Sequence, residues 1–147
     1  MESYYLALDP GDTSGWAKFN EDGSGNGFDN VHGKAALFQL LEDTAPSLII
    51  CEDYKLFPWK AANQSWSKLD TVRSIGAVEH YAWLRWGADW EKHIIYQDPK
   101  IKGVGYMWAG IPKPKAKSES HYADAYVHGV FYLQKNGIRK PQQGRGQ

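Results

Sequence analysis

Two apolar runs in this chain end on acids. Tyr4 to Asp9 (YYLALD) stops at a carboxylate followed at once by Pro10 and Gly11, and Ser47 to Asp53 (SLIICED) closes on Glu52 and Asp53. Both runs carry apolar residues at successive positions, the pattern of strands buried on both faces. An ionised carboxylate at the end of such a strand is costly unless something positive pairs with it. A divalent cation held jointly by Asp9 and Glu52 meets that need. In SHYADAYVHGVFYL, a third segment, the spacing is helical: Ala123, Val127, Val130 and Phe131 share one stripe, and His121, Asp124 and His128 share a second about a quarter turn away. Hard oxygen donors of this kind suit Mg²⁺ or Mn²⁺, and one imidazole among them makes Mn²⁺ more acceptable.

The elements around these residues decide whether they meet. Gly15 to Asn20 reads as a second strand, EDGSGNG as a turn and Phe28 to His32 as a third strand, so the chain opens with an antiparallel meander. Lys34 to Asp43 has helical periodicity and Pro46 forbids its continuation. If this helix is a crossover, the strand ending at Glu52 runs parallel to the first, and both acids emerge at the sheet edge where ligand sites form. Tyr54 to Gln64 is an aromatic and basic loop. Ser65 to Trp86 is a long helix with Val72, Ile75, Val78 and Ala82 as its buried stripe and Gly76 as a point of close packing. Glu91 to Gln97 reads as a fifth strand and Asp98 to Ser118 as a long loop, with five lysines and no acid after Asp98. Glu119 to Lys135 is the last helix, and GIRKPQQGRGQ is a basic flexible tail. The class is therefore α/β: a five-stranded mixed sheet flanked by helices, one domain over residues 1–136 and a tail over 137–147.

A chain of 147 residues fits one domain that buries roughly two-thirds of its unfolded surface. The single cysteine, Cys51, allows no intramolecular disulfide and no cysteine-rich zinc site, which points to a reducing, cytoplasmic setting. No apolar run reaches the length of about 18 residues that a membrane span needs. Seventeen basic and seventeen acidic residues cancel, but unevenly: residues 1–98 hold 8 Lys/Arg against 15 Asp/Glu, and residues 99–147 hold 9 against 2. Such a basic third suits a polyanion, or serves solubility alone.

LALDPGDTSGWA, then LIICED, then a C-terminal helix carrying HYADA, resembles in order and spacing the RuvC-type Holliday junction resolvases of the RNase H-like superfamily, especially the short phage-encoded members. The resemblance covers nearly the whole chain and implies an RNase H-like fold. It implies that Asp9, Glu52, His121 and Asp124 bind metal and form the catalytic set, and that the helix from Lys68 to Trp83 forms a homodimer. Branched DNA is the implied partner, in a bacterial host's cytoplasm if the chain is phage-encoded, with no membrane and no nucleotide cofactor. The implied chemistry is phosphodiester hydrolysis with two Mg²⁺ ions, Mn²⁺ substituting, set about 3.5–4 Å apart, and Asp9 bridging them. The products by analogy are a 5′-phosphate and a 3′-hydroxyl. The family often places an aromatic just after the catalytic Glu; here Lys55 stands at that distance and Phe57 two residues later. Lys100, Lys102, Lys113, Lys115 and Lys117 form the lysine-rich stretch expected before the last helix.

Blander roles compete at several positions. Asp12 reads as a turn former. Asp53 faces away from Glu52 by strand alternation. His128 reads as a structural histidine. Phe57, Trp59 and Trp66 stack on opened bases, or pack in the core or between the protomers of a dimer. Two other functions fit the same pattern less well: a catalytically silent branched-DNA-binding module, and a fragment of an actin-like or sugar-kinase-like ATPase, which needs a second domain that this length leaves no room for.

Overall fold

The computed structural model of the chain describes residues 3–54 and 66–141, with side chains from residue 69 onward in the second segment. The order is β1 (Tyr4–Asp9), β2 (Thr13–Asn20), β3 (Gly25–His32), α1 (Gly33–Thr44), β4 (Leu48–Glu52), α2 (Trp66–Trp86), β5 (Ile94–Gln97), α3 (Lys102–Ala109) and α4 (Lys117–Lys135). The strands form one sheet in the order β3-β2-β1-β4-β5. The three-strand meander is antiparallel, while β1 with β4 and β4 with β5 are parallel.

Strand alternation divides the core in two. Leu6, Leu8, Ile49 and Cys51 point to the face that α1 and α2 cover, where they pack with Leu37, Leu41, Val78, Tyr81 and Ala82. Ala7, Ala17, Phe19 and Ile50 point to the other face and meet Ala109 of α3 and Val127, Val130 and Leu133 of α4. Ala7 pairs with Ile50 in register, so Asp9 and Glu52, each two residues on, fall on the α4 face together. Asp53 follows on the other parity.

The helix after Lys34 ends where Ala45 adopts a left-handed conformation (φ 45°) just ahead of Pro46. The long helix buries Val78 and Ala82 as expected, but Val72 turns outward and is 44% exposed. Gly76 also faces outward, and a Cβ placed there would meet nothing, so the close neighbour expected from its sequence is absent among the described residues. In α4, Phe131 is half-buried and stacks on Trp108 at 5.1 Å, and Leu133 occupies the core position instead. The fifth strand begins at Ile94 rather than Glu91 because residues Gly87–His93 form a 3-10 helix.

A larger departure lies in the stretch expected to be a loop. Asp98 caps a short 3-10 turn by accepting from the Lys100 amide at 2.9 Å, and Lys102–Ala109 then forms α3. Two glycines make this segment a poor helix former in isolation. Packing decides the outcome: a Cβ on Gly105 would press on the Val127 carbonyl, so only glycine lets α3 cross α4 this closely. Past α4, Ile138 packs on the core, and Arg139 donates to Gly23 O at 3.0 Å and to Tyr126 OH at 3.2 Å.

Candidate active site

Asp9 leaves β1 into a turn tied down on both sides. Ser74 of α2, itself buried, donates to the Gly11 carbonyl at 2.6 Å, and Gly33 donates to the Asp12 carbonyl at 2.8 Å. On the other side of Asp9, α4 lies almost in contact with β2. A Cβ at Gly15 would fall on the backbone carbonyl of His121, and one at Gly129 would strike the Phe19 ring. These two glycines set α4 against the sheet and bring its polar stripe to the ends of β1 and β4.

Four sequence-predicted acids and bases meet there. His121 Nδ1 stands 3.6 Å from Asp9 Oδ2, an ion-pair distance longer than a hydrogen bond. Lys102 Nζ lies 2.9 Å from Glu52 Oε1 and 3.2 Å from Asp124 Oδ2, linking the carboxylates of β4 and α4. The second oxygen of Asp124 accepts from Tyr106 OH at 2.5 Å. His128, fully buried, lies 3.1 Å through Nε2 from Glu52 Oε1, while its Nδ1 has no partner among the described residues. A hydrogen on Nε2 makes the imidazole a donor that fixes the Glu52 carboxylate.

The charges in this cluster are strongly perturbed. Burial pushes Asp9 up to about 7, against the pull of His121, and the neighbouring Glu52 and Asp124 add to the rise. Burial alone would also raise Glu52, but hydrogen bonding with His128, Asp9 and Lys102 takes it down to about 2. Asp9 and Glu52 thus behave as a pair that holds one proton near neutral pH. Asp9 also holds His121 above its ordinary value, against burial. Lys102 stays charged: burial works against it, but the bond to Glu52 and the nearby acids raise it above the usual lysine value.

Asp9, Glu52 and His121 line a cleft of about 810 Å³. Asp12, Asp53, Asp70 and Asp98 bring its carboxylates to six, against Lys100 and Lys117 as its lysines. Asp12 is exposed on its rim. Three carboxylates and an imidazole form a donor set that fits a hard divalent cation, and an ammonium already bridges two of those carboxylates. In the present positions no three Asp, Glu, His or Cys side chains among the described residues close on one metal-sized point.

The remaining expectations divide. Lys113, Lys115 and Lys117 are exposed ahead of and at the start of α4, and Lys100 is exposed at the cleft. Lys102 differs from the other four because its ammonium sits among the acids. Lys55, Phe57 and Trp59 lie outside the described residues, as does the Trp66 side chain and the tail over 142–147. Tyr106 and the Glu52 contact of His128 are the additions that sequence reasoning missed. The i, i+4 spacing of Lys102 and Tyr106 was a signal for the first, obscured by the glycines between them.

No family model matches the chain, and no curated protein matches it in sequence. Among solved structures it is similar to T. thermophilus RuvC in complex with a Holliday junction substrate, with a TM-score of 0.59 and 13% identity over 95% of this chain and 99% of that one. It is similar also to Thermus thermophilus RuvC alone, with a TM-score of 0.57 and 15% identity over the same shares. No helix among the described residues is long and apolar enough to cross a membrane. At such identities the likeness is one of fold, and the chain has the RuvC-like fold of the RNase H type, its acids gathered at the carboxyl ends of two parallel strands.

Proposed function

We propose that this chain is a metal-dependent endonuclease that cuts branched DNA, foremost four-way junctions, as a homodimer in the cytoplasm. The observation that carries the reading is the convergence of Asp9, Glu52 and Asp124, from three separate elements, beside His121 in a RuvC-like fold. Asp9, Glu52, His121 and Asp124 would hold two Mg²⁺ or Mn²⁺ ions, which when bound acidify a water and stabilise charge on the phosphoryl oxygens. The chain's own residues do the rest. His128 fixes one Glu52 oxygen and Tyr106 one Asp124 oxygen, so that both acids keep their orientation. Lys100 and Lys117 at the cleft, with Lys113 and Lys115 on the approach, draw the phosphate backbone in. Cleavage leaves a 5′-phosphate and a 3′-hydroxyl.

The surplus of carboxylates in the cleft supports a cation requirement, since six acids repel a phosphodiester that two lysines cannot by themselves attract. The outward face of α2 supports the dimer. Leu69 (42% exposed), Val72 (44%) and Trp83 (57%) lie with Gly76 at three- and four-residue steps or their sum, the seam of a helix that packs on a second helix. Two related sites suit paired nicks on opposing strands of a two-fold junction.

Incubating the full chain with labelled four-way junction, flap and duplex DNA, with and without Mg²⁺ or Mn²⁺, tests the reading. Nicking of the junction only with the ion supports it. Tight junction binding with no nicking under any ion leaves the silent binding module standing, and neither binding nor nicking ends both.

A further inference from the structure

Lys102 is the one cationic side chain among the described residues placed between two of the cluster's carboxylates. It reaches them from α3, whose course is fixed by the close crossing at Gly105, and its side chain is about three-quarters buried. Its ammonium takes Glu52 Oε1 and Asp124 Oδ2, while His128 shares the former oxygen and Tyr106 holds the other Asp124 oxygen. Each Asp124 oxygen therefore already has a hydrogen-bonding partner.

From this geometry we infer that Lys102 competes directly with divalent ions for Glu52 and Asp124, and so holds down the metal affinity of the protein in the absence of DNA. The inference rests on the metal-binding role proposed for these acids. An ammonium and a divalent ion that draw on the same oxygens repel each other at short range, and in a half-buried site this repulsion is weakly screened. The alternative acceptor for the ammonium is a phosphate oxygen of an incoming backbone. Lys102 thus acts as a placeholder that disfavours ion loading until a phosphodiester arrives, and its role differs from that of Lys113, Lys115 and Lys117, which are exposed.

The test is the binding of Mn²⁺ alone to the full-length, DNA-free protein, followed by electron paramagnetic resonance of the unbound ion and by calorimetry. Lys102→Met should bind Mn²⁺ about tenfold or more tightly than the wild type, because the repelling charge is gone. Lys102→Arg, which keeps that charge, should bind as weakly as the wild type. If Lys102→Met is poorly folded, Lys102→Gln carries the test, since its side chain is polar and carries no charge. Equal or weaker Mn²⁺ binding by a folded neutral variant overturns the inference while leaving the nuclease reading intact. Absence of Mn²⁺ binding in wild type and variants alike overturns both.

Discussion

The two faces of the sheet are built from different materials. Toward α1 and α2 the strands offer Leu6, Leu8 and Ile49, large side chains that meet Leu37, Leu41, Val78 and Tyr81. Toward α4 they offer Phe19 and Ile50 as well, but beside the acids the residues are small, Ala7, Ala17 and Gly15, with Gly129 on the helix itself. Large residues keep a helix at a distance and bury apolar area, whereas small ones let backbone approach backbone. Both faces bury apolar side chains, and the first is built of large ones throughout. The second gives up some of that burial to bring His121 and Asp124 within reach of Asp9 and Glu52.

Substitutions that separate these two jobs are the sharpest tests of the contrast. Asp9→Asn, at the heart of the second face, should reduce junction cleavage by ~10³-fold or more while leaving junction affinity within a few-fold of the wild type. Normal cutting by this variant in a gel assay would remove Asp9 from the chemistry. Leu41→Ala, on the first face, should cost about 2–5 kcal/mol in urea unfolding and leave cleavage per folded molecule unchanged. Gly15→Ala should cost stability too, and should differ by costing activity as well. Its methyl must displace the His121 backbone, so activity per folded molecule should drop by roughly tenfold or more, well beyond the loss for Leu41→Ala. Equal activity in those two variants would erase the distinction between the faces.

Acid and base titrations probe the second face more gently. Asp9 is raised to about 7 in the fold, so the native state binds more protons than the unfolded chain between about pH 4 and 7. His121 is raised as well, and its contribution is complete below its unfolded value and lost as pH rises through the folded one. Both signs agree. In chelator, stability should fall between pH 5 and 8, by about 2–3 kcal/mol from Asp9, and Asp9→Asn should flatten most of that slope in parallel urea titrations. The smallest effect belongs to His128. Replacing it with Leu removes the donor to Glu52 and should raise the Mn²⁺ concentration for half-maximal cleavage by ~10-fold. An unchanged requirement would reduce His128 to core filling.

The elements legible in the sequence were those whose burial pattern and breakers agree. β1 and β4 declare themselves by apolar runs that end on acids, α1 by its period and Pro46, and α4 by a stripe long enough to resist noise. The meeting of Asp9 and Glu52 follows from strand parity and one crossover, both readable from sequence, whereas His121 and Asp124 reach them through the close packing of α4 at Gly15 and Gly129, which sequence spacing does not give. The short α3 was not, because Gly103 and Gly105 lower its intrinsic helicity and the reason for Gly105 lies some twenty residues away at Val127. With α3 hidden, Lys102 counted as one more loop lysine and Tyr106 had no role. Val72 was misplaced for a related reason: a long helix with apolar residues on two sides does not say which side faces its own sheet.

One consequence of the pairing between β1 and β4 reaches beyond any single side chain. Inserting or deleting one residue before Asp9 or Glu52 would leave an apolar strand still able to join the sheet, yet would turn its terminal acid toward α1 and α2. Chains of this design are therefore free to vary the lengths of their turns, while the count from strand start to acid stays fixed. In a protein that joins distant parts of its sequence at one spot, parity is the part that allows no drift.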